Sequence, residues 1–381
     1  MKEKILILGA GMIQVPIIEK AKRLGYVVLV LDGSAEAPGM KLADYSFVIS
    51  TLDAESALQI AIEHQVDAVI TTSDYPVNVV AMLCEKLNLI GISPFAAEVC
   101  TNKYLQRKLA LQFGIKCPQF VKLNFNHLSA YTVPFSYPVI VKPLDSSASR
   151  GITIVYEESA LADAFVQAKR YSRTDEFLIE EFIEGKEYSI EGLVQQGRLH
   201  VLGITEKFLE EAEGMLFPVE IGHVCSVVFE ASLQERVVHF ADSVVQAFQI
   251  DNSALHLEFK LFNNQIYLIE CAGRPGGDFI ASDLIPLATG IDLLEGLIKI
   301  AMGQELRIER SIDRYAGIKF LDRSNYHRLA AYLQQSSHAS ISRFTIEAYK
   351  DAPLQSSLDR LGYFIACDKN KERLIEILDG K

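Results

Sequence analysis

The apolar and polar positions of the first hundred residues alternate in the manner of strands joined by helices. Short apolar runs predict strands at residues 4–8, 27–31, 47–49 and 68–72. Between them, apolar residues recur with helical spacing over residues 15–24 and 55–64. Strands that alternate with helices form a parallel sheet with crossover connections. The pattern therefore predicts a first α/β unit that ends near Pro94.

A second series of elements begins at residue 102. A helix is predicted over residues 102–113, because Gly114 and Pro118 are typical signals of a helix end. Strands are then expected at residues 139–142, 152–155, 177–181, 187–194 and 199–204, the last two joined by a hairpin turn. Helical periodicity returns at residues 292–302, 325–335 and 371–378.

These elements predict an α/β fold in three parts. A first domain covers residues 1–95, and a second covers residues 96–305, with a subdomain at about 118–190. The pattern of residues 102–204 indicates a second α/β unit. Residues 306–381 form a C-terminal α+β region.

Composition narrows the classes of function. Apolar residues make up 49% of the chain and charged residues 23%, which is typical of a globular protein. The net charge of −12 argues against a nucleic-acid partner, because it would repel phosphates. We expect no membrane partner, since there is no signal-peptide pattern and no apolar run of roughly 18 residues. The six cysteines lack C-x-x-C or metal-ligand spacing, which favours a reducing, cytoplasmic location.

A predicted hairpin carries two glutamates. Apolar and polar residues alternate over residues 255–261, and a second strand over residues 265–270 ends in Glu270. A three-residue loop at 263–265 would put Glu258 opposite Glu270, whereas a two-residue loop would put them on opposite faces. Adjacent carboxylates repel each other unless a cation lies between them. The pair is either a divalent-metal site or two solvated surface glutamates.

The residues after Glu270 favour the metal interpretation. Arg274 supplies a cation, and Gly276 with Gly277 supplies backbone amides without side chains. Carboxylates, a guanidinium and free amides in one segment are typical of a site that handles phosphate.

The glycine turn after the first strand leaves a rival interpretation open. Gly9 and Gly11, with Asp32 at the end of the second strand, imitate a dinucleotide-binding fingerprint. Position 14 is glutamine, where this fingerprint needs a small residue. An NAD(P)-dependent oxidoreductase is therefore an alternative that the motif supports only in part.

Four further blocks accompany the hairpin in order along the chain. They are residues 102–118 with Lys103, residues 137–143 with Lys142, the loop 145–151, and residues 177–187. Together they resemble the ATP-grasp superfamily, and within it the carboxylate–amine ligases that include L-amino acid ligases and carnosine-synthase-like enzymes. The resemblance covers nearly the whole chain. It implies a Rossmann-like pre-ATP-grasp domain, an ATP-grasp fold that is α+β in its ATP-binding part, and a small C-terminal α+β region.

The resemblance implies an ATP site. Lys103 and Lys142 would contact the phosphates, since a lysine is a point charge suited to an anion. The loop would cover the phosphates through Ser147, Ser149 and Gly151, although it contains fewer glycines than the family's loop. The adenine and ribose contacts would come from Glu180, Glu181, Phe182, Ile183 and Glu187.

The resemblance also assigns the metal. Glu258 and Glu270 would hold one or two Mg²⁺ ions, or Mn²⁺ in their place. The family often has an asparagine two residues after the second glutamate, but this chain has Ala272 there. The number of ions is therefore left open.

The implied reaction forms a carbon–nitrogen bond. The γ-phosphoryl group of ATP passes to a carboxylate, and an amine attacks the acyl phosphate, releasing ADP and phosphate. Arg274 is the expected catalytic side chain, because it can stabilise developing negative charge. Small-molecule substrates, among them an amino acid, would contact Lys207, Glu220, His223, Gly276 and Gly277. His223 has a packing role as its alternative.

Three other expectations complete the interpretation. Related enzymes are often homodimers, so a homodimer is compatible with the resemblance. A carboxylase-type ATP-grasp enzyme would use bicarbonate instead of a larger acid. A nucleotide-binding regulator would bind ATP without turnover.

Overall fold

The computed structural model describes residues 2–127, 132–145, 150–210, 219–335, 339–351 and 359–381, without the side chains of Glu210 and Gln335. The described strands form three sheets, and helices contribute substantially beside them. The predicted α/β fold class is confirmed. The boundaries proposed for the three domains remain a prediction.

The first sheet is parallel and has the order β3-β2-β1-β4. Its strands are β1 (Lys4–Leu8), β2 (Val27–Asp32), β3 (Tyr45–Val48) and β4 (Ala68–Thr71). Its helices are α1 (Val15–Arg23), α2 (Ala54–His64) and α3 (Val77–Leu87).

Both faces of this sheet are covered. Ile5 and Ile7 of β1 belong to one core together with Ile18 of α1. Leu6 and Leu8 point the other way, into a second core that contains Leu83 of α3. Because every residue of a doubly covered strand is buried, such a strand appears as a continuous apolar run.

The second sheet is antiparallel, with the order β5-β8-β6-β7. Helices α4 (Pro94–Thr101) and α5 (Lys103–Gln112) precede it. Its elements are β5 (Phe120–Asn124), β6 (Val139–Pro143), β7 (Thr153–Val155), α6 (Leu161–Tyr171) and β8 (Glu176–Glu181).

The third sheet is antiparallel and has eight strands in the order β13-β12-β9-β10-β11-β14-β16-β15. Its strands are β9 (Lys186–Gln195), β10 (Arg198–Glu210), β11 (Val219–Cys225), β12 (Ser253–Phe262), β13 (Gln265–Ala272), β14 (Tyr315–Phe320), β15 (Ile341–Ile346) and β16 (Gly362–Asp368). Its helices are α7 (Ala231–Ala247), α8 (Ile285–Thr289), α9 (Leu293–Ala301), α10 (Tyr326–Gln335) and α11 (Lys371–Leu378). A short π-helix, Ile280–Leu284, precedes α8. The C-terminal strands therefore extend this sheet through β11.

The β12–β13 hairpin decides between the two loop lengths considered for it. Phe262 pairs with Gln265, so the turn has two residues, Asn263 and Asn264, with φ of 47° and 59°. The three-residue alternative is therefore excluded. Glu258 nevertheless pairs with Glu270, because a β-bulge shifts the register between Glu258 and Phe259. The expectation that a two-residue turn separates the glutamates is therefore wrong.

Within the described part of the chain, no helix combines the length and apolar character needed to cross a bilayer.

Candidate active site

Charged side chains are buried on α5 and on strands of the second and third sheets. Those that make up the candidate site include Lys103, Arg107, Lys142, Glu180, Glu187, Glu191, Lys207 and His256. Burying an isolated charge costs several kcal/mol, so each of these groups needs partners. Those partners define the site.

Glu180 on β8 lies between two cations. Arg107 Nε and Nη2 donate to its oxygens at 2.9 and 3.3 Å, and Lys142 Nζ lies 2.6 Å from Oε2. Although burial opposes ionisation, Arg107 and Lys142 hold the pKa of Glu180 below its usual value. Burial lowers the pKa of Lys142 to about 8, because Glu180 only partly offsets desolvation and repulsion by Arg107 and Lys103. Two predicted ATP contacts, Lys142 and Glu180, therefore lie in one cluster.

Arg107 was not identified from the sequence. Its Nη2 also donates to the carbonyl of Ile269 at 2.5 Å, beside the β-bulge. Its Nη1 is buried without a hydrogen-bond partner among the described residues. Arg107 follows Lys103 by four positions on α5, so the two side chains share one helix face. That spacing is the signal that could have identified it.

Each of the two glutamates predicted to bind metal contacts a lysine. Lys103 Nζ lies 2.9 Å from Glu270 Oε1, and Lys207 Nζ contacts Glu258 Oε1. Burial opposes ionisation of Glu258, but Lys207 and His256 hold its pKa well below its usual value. The two lysines compensate the repulsion that paired carboxylates would otherwise suffer.

Lys207 on β10 gathers three carboxylates. Besides Glu258, its Nζ lies 3.0 Å from Glu220 and 3.3 Å from Glu187. Burial disfavours the ammonium charge, yet these three glutamates raise the pKa of Lys207 well above its usual value. One oxygen from each glutamate lies within 4.8 Å of the others. Lys207, predicted to contact substrate, and Glu187, predicted to contact ribose, thus meet at the carboxylate pair.

The donor chemistry of the pair fits magnesium. Glu258 and Glu270 lie opposite each other and offer only carboxylate oxygens, which Mg²⁺ and Mn²⁺ prefer. Ala272 is buried and offers no ligand atom from its side chain. The residues present therefore suit at least one ion, and the number of ions stays a prediction.

Glu191 and His256 extend this group of buried charges. His256 Nδ1 lies 2.5 Å from Glu191 Oε1, and His256 Nε2 lies 3.0 Å from Glu258 Oε1. Burial disfavours the imidazolium, but Glu191 and Glu258 raise the pKa of His256 to about 9. Glu191 also accepts the Gly276 N–H at 3.0 Å. The Gly276 amide, predicted to hold a substrate carboxylate, therefore already has an acceptor within the protein.

Arg274 is paired with an acid from the first sheet's loops. Its Nε and Nη2 lie 2.6 and 2.9 Å from the two oxygens of Asp74. Burial opposes the charge, but Asp74 and Glu270 raise the pKa of Arg274. Asp74 follows the carboxyl end of β4, where side chains of parallel sheets commonly form sites. That position is the signal that could have identified Asp74.

The predicted substrate residues Glu220 and His223 meet Arg360 from the C-terminal region. Arg360 Nη2 donates to the Glu220 carbonyl at 2.9 Å, and its Nη1 lies 2.8 Å from Asp278. His223 Nε2 lies 3.3 Å from the same carboxylate. Burial opposes ionisation, but Arg360 and His223 lower the pKa of Asp278. Within the described residues, His223 Nδ1 and Arg360 Nε have no hydrogen-bond partner.

The backbone after Gly277 is strained. Asp278 and Phe279 have φ of 51° and 62°, a region that non-glycine residues rarely adopt. The π-helix Ile280–Leu284 follows directly. Strained residues and π-helical turns concentrate at functional sites, so this segment belongs to the candidate site on backbone grounds as well.

The remaining predicted residues lie at the second sheet. Glu181 accepts the Gln119 N–H at 3.2 Å, and the carbonyl of Ile183 accepts Lys260 Nζ at 2.9 Å. The same Lys260 lies 4.9 Å from the ring centre of Phe182. Gly151 has a φ of 73°. Ser147 and Ser149 lie outside the described residues.

The glycine turn after β1 is closed by its own neighbours. Asp32 accepts the Ala10 N–H at 2.8 Å, and a side chain at Gly9 or Gly11 would meet Gln14 at 3.3 or 3.0 Å. Gln14 is buried against both glycines, at the position where a dinucleotide fingerprint has a small residue. This geometry argues against the oxidoreductase alternative.

Comparison with known proteins connects the fold to a family. The sequence pattern of the ATP-grasp domain matches residues 135–283, and that of the ATP-grasp N-terminal domain matches residues 18–91. The chain is 30% identical over 188 residues to formate-dependent phosphoribosylglycinamide formyltransferase of Prochlorococcus marinus, covering 48% of each protein. It is 28% identical over 287 residues to the same enzyme of Sulfurisphaera tokodaii, covering 72% of this chain and 70% of that one. The chain spans about half the length of most of the formyltransferases that it matches.

Solved structures agree at the level of the fold. The L-amino acid ligase of Bacillus licheniformis has a TM-score of 0.82 at 22% identity, covering 99% of this chain and 96% of that one. Phosphoribosylglycinamide synthetase of Anaerococcus prevotii has a TM-score of 0.75 at 20% identity, covering 100% and 97%. Two matching domain patterns and this shared fold lead to one conclusion. The chain belongs to the ATP-grasp superfamily.

Proposed function

We propose that this chain is an ATP- and magnesium-dependent ligase that joins a carboxylate, an amino acid in our preferred case, to an amine. The supporting observation is one continuous cluster. It contains a carboxylate pair, Glu258 and Glu270, two lysines beside it, and Arg274 four residues further on. Relatives named as a formyltransferase and an L-amino acid ligase are compatible with this chemistry.

The proposed reaction has two steps. A carboxylate oxygen of the acid attacks the γ-phosphorus of ATP, and the bond to the β-phosphate oxygen breaks, which releases ADP. The amine nitrogen then attacks the acyl carbon, phosphate leaves, and the nitrogen loses a proton. The product is an amide, so one ATP is consumed for each bond.

The roles of the side chains follow from their charges. Lys103 and Lys142 hold phosphate oxygens, and Arg274 stabilises the acyl phosphate and the oxyanion formed on attack. Glu258 and Glu270 would hold Mg²⁺, which when bound neutralises charge on the β- and γ-phosphates.

On the substrate side, Glu220 is suited to an ammonium group. Lys207, His223 and the amide of Gly277 are our other proposed contacts. Glu181, Phe182 and Ile183, at the end of β8 and directly after it, are proposed to contact adenine, and Glu187 to contact ribose.

The test is a screen of amino-acid pairs for ADP release in the presence of Mg²⁺, with hydroxylamine added to trap acyl phosphate. We expect ADP and hydroxamate to form together with at least one acid. ADP release without hydroxamate or amide would contradict the proposal. Turnover that requires bicarbonate would favour the carboxylase alternative, and ATP binding without turnover would favour a regulator.

A matched pair of variants tests the metal assignment. Glu270→Gln removes one charge from the carboxylate pair, and we expect it to abolish ATP turnover while the protein stays folded. Glu235→Gln, at an exposed position on α7, is the control. Wild-type turnover in Glu270→Gln would remove Glu270 from the metal site.

Three further proposals concern the location, the assembly and the domain boundaries of the protein. The free thiols of all six cysteines are compatible with our proposed cytoplasmic location. A homodimer and the division of the chain at residues 95 and 305 also remain our proposals.

A further inference from the structure

Glu191 on β9 is a buried acid with no role in the proposed reaction. Its side chain is fully shielded from solvent, although a lone buried carboxylate would be strongly destabilising. Three donors surround it. Ser189 donates its hydroxyl at 3.3 Å, the Gly276 N–H donates at 3.0 Å, and His256 Nδ1 lies at 2.5 Å.

His256 continues the connection towards the carboxylate pair. Its Nε2 lies 3.0 Å from Glu258 Oε1, on the opposite side of the ring from Glu191. Since both ring nitrogens face carboxylate oxygens, both donate a hydrogen bond. The ring is therefore held at both ends and cannot turn without losing one of these bonds. The result is a continuous series of hydrogen bonds from the Gly276 amide through Glu191 and His256 to Glu258.

Gly276 can take part in this series of hydrogen bonds only because it lacks a side chain. A Cβ at this position would lie 2.6 and 2.7 Å from the two oxygens of Glu191, which is closer than real contacts allow. Neither atom can give way easily, because the carboxylate is already held by His256. The neighbouring Gly277 differs completely, since a Cβ there would meet nothing within 4 Å.

We propose that Glu191 and His256 are positioning residues that orient the metal-binding carboxylate of Glu258 and couple it to the Gly276 backbone. This inference rests on the proposed function, because it takes Glu258 as a metal ligand. Groups that hydrogen-bond to a metal ligand typically affect metal affinity or activity by about 10–100-fold. The metal affinity should therefore depend on Gly276, which is not itself a ligand.

The experiment measures Mn²⁺ binding to the full chain by electron paramagnetic resonance of the free ion, with and without ADP. Gly276→Ala displaces Glu191, and we expect it to weaken Mn²⁺ binding about tenfold. Gly33→Ala adds the same methyl group at an exposed position where the nearest atom, Ser50 Cα, would lie 4.0 Å away, and we expect it to bind Mn²⁺ as the wild type does. Thermal unfolding of both variants checks that the fold is intact.

A second pair of variants covers the case in which Gly276→Ala fails to fold. His256→Asn should weaken Mn²⁺ binding about tenfold, whereas His239→Asn, at an exposed position on α7, should not. ADP binding measured in the presence of EDTA should be unchanged in His256→Asn, because His256 acts on the metal ligand alone. A purely structural role would instead weaken both kinds of binding.

The outcomes separate the two proposals. If the wild type binds Mn²⁺ with ADP, and Gly276→Ala or a folded His256→Asn binds it equally well, only the positioning role is overturned. If the wild type neither binds Mn²⁺ nor turns over ATP, the proposed function falls, and the positioning role falls with it.

Discussion

Arg274 is oriented by an acid that precedes it by 200 positions in the chain. Asp74 contacts it through two parallel hydrogen bonds, so the guanidinium is fixed before any substrate binds. A preorganised cation costs no rearrangement when charge develops during the reaction. This pairing is the strongest structural reason to retain Arg274 as the proposed catalytic side chain.

Replacement of Arg274 should separate binding from chemistry. In Arg274→Lys the charge remains, but the two parallel hydrogen bonds to Asp74 are lost. We therefore expect the rate of product formation to fall by a factor of about 10²–10³. ADP affinity, measured by isothermal titration calorimetry, should change little. A normal rate of product formation would exclude Arg274 from the mechanism.

Lys142 gives the proposed nucleotide site a dependence on pH. Burial, together with Arg107 and Lys103, lowers its pKa to about 8, so the side chain is charged below that pH and neutral above it. Phosphate binding favours the charged form. ADP affinity should therefore fall as pH rises from 7 to 9, by about tenfold if the contact contributes 1.4 kcal/mol. Calorimetric titrations at three pH values measure this, and Lys142→Met should show a flatter profile.

Among the secondary-structure elements, the helix ends allow a matched test of stability. Helix α2 is followed by Gln65 with a φ of 51°, and Gly114, two residues after α5, has a φ of 68°. The left-handed conformation costs a non-glycine residue about 1 kcal/mol.

Gln65→Gly should therefore raise the free energy of unfolding by about 0.5–1 kcal/mol, because glycine adopts this conformation without strain and the replaced side chain is exposed. Gly114→Ala should lower it by a similar amount, since a Cβ there would meet nothing within 4 Å and only the backbone is strained. Urea denaturation measures both. Equal stability of the two variants would contradict the conformational explanation.

Several elements were absent from the sequence interpretation for a physical reason. Helix α3 contains a run of apolar, partly β-branched residues, and such a run does not distinguish a buried helix from a buried strand. Strand β15 lies at the end of its sheet and is largely exposed, so it has no alternating pattern. In contrast, β1 and α11 were predicted with the observed limits, because their apolar residues follow one clear period.

On the scale of the whole molecule, the loop after β4 of the first sheet contacts the unit built on the second sheet. Tyr75 in this loop accepts a hydrogen bond from Arg150, and Arg173 lies 4.0 Å from its ring centre. Both arginines belong to the unit built on the second sheet, which carries the proposed adenine contacts at the end of β8. Tyr75 therefore helps to hold that unit over the site.

Tyr75→Ala should raise the KM for ATP about threefold, because a cation–π contact contributes roughly 0.5–1 kcal/mol at an accessible site. Tyr75→Phe retains the ring and loses only the hydroxyl, so its KM should lie closer to the wild-type value. Initial rates at varied ATP concentration measure both. An unchanged KM in Tyr75→Ala would exclude this role.

The sequence by itself determined the elements and the chemistry that depend on neighbouring residues. The apolar run of β1, the helix start at Asn102 with Lys103, and the acids of the hairpin are all local patterns. Such patterns can be recognised in the sequence because the periodicity of a helix or strand shows in the types of residues only a few positions apart. These patterns also supported the family resemblance that the comparisons confirmed.

Only the tertiary structure decided which charges meet. The β-bulge that restores the pairing of Glu258 with Glu270 left no mark in the hydrophobic period, and Arg107 contacts the bulged strand from 162 positions away. Asp74 and Glu191 had no recognisable motif, because a buried acid is stable only through partners brought from distant parts of the chain. The sequence thus determined which charged groups are available, and the packing of the three sheets decided their pairing.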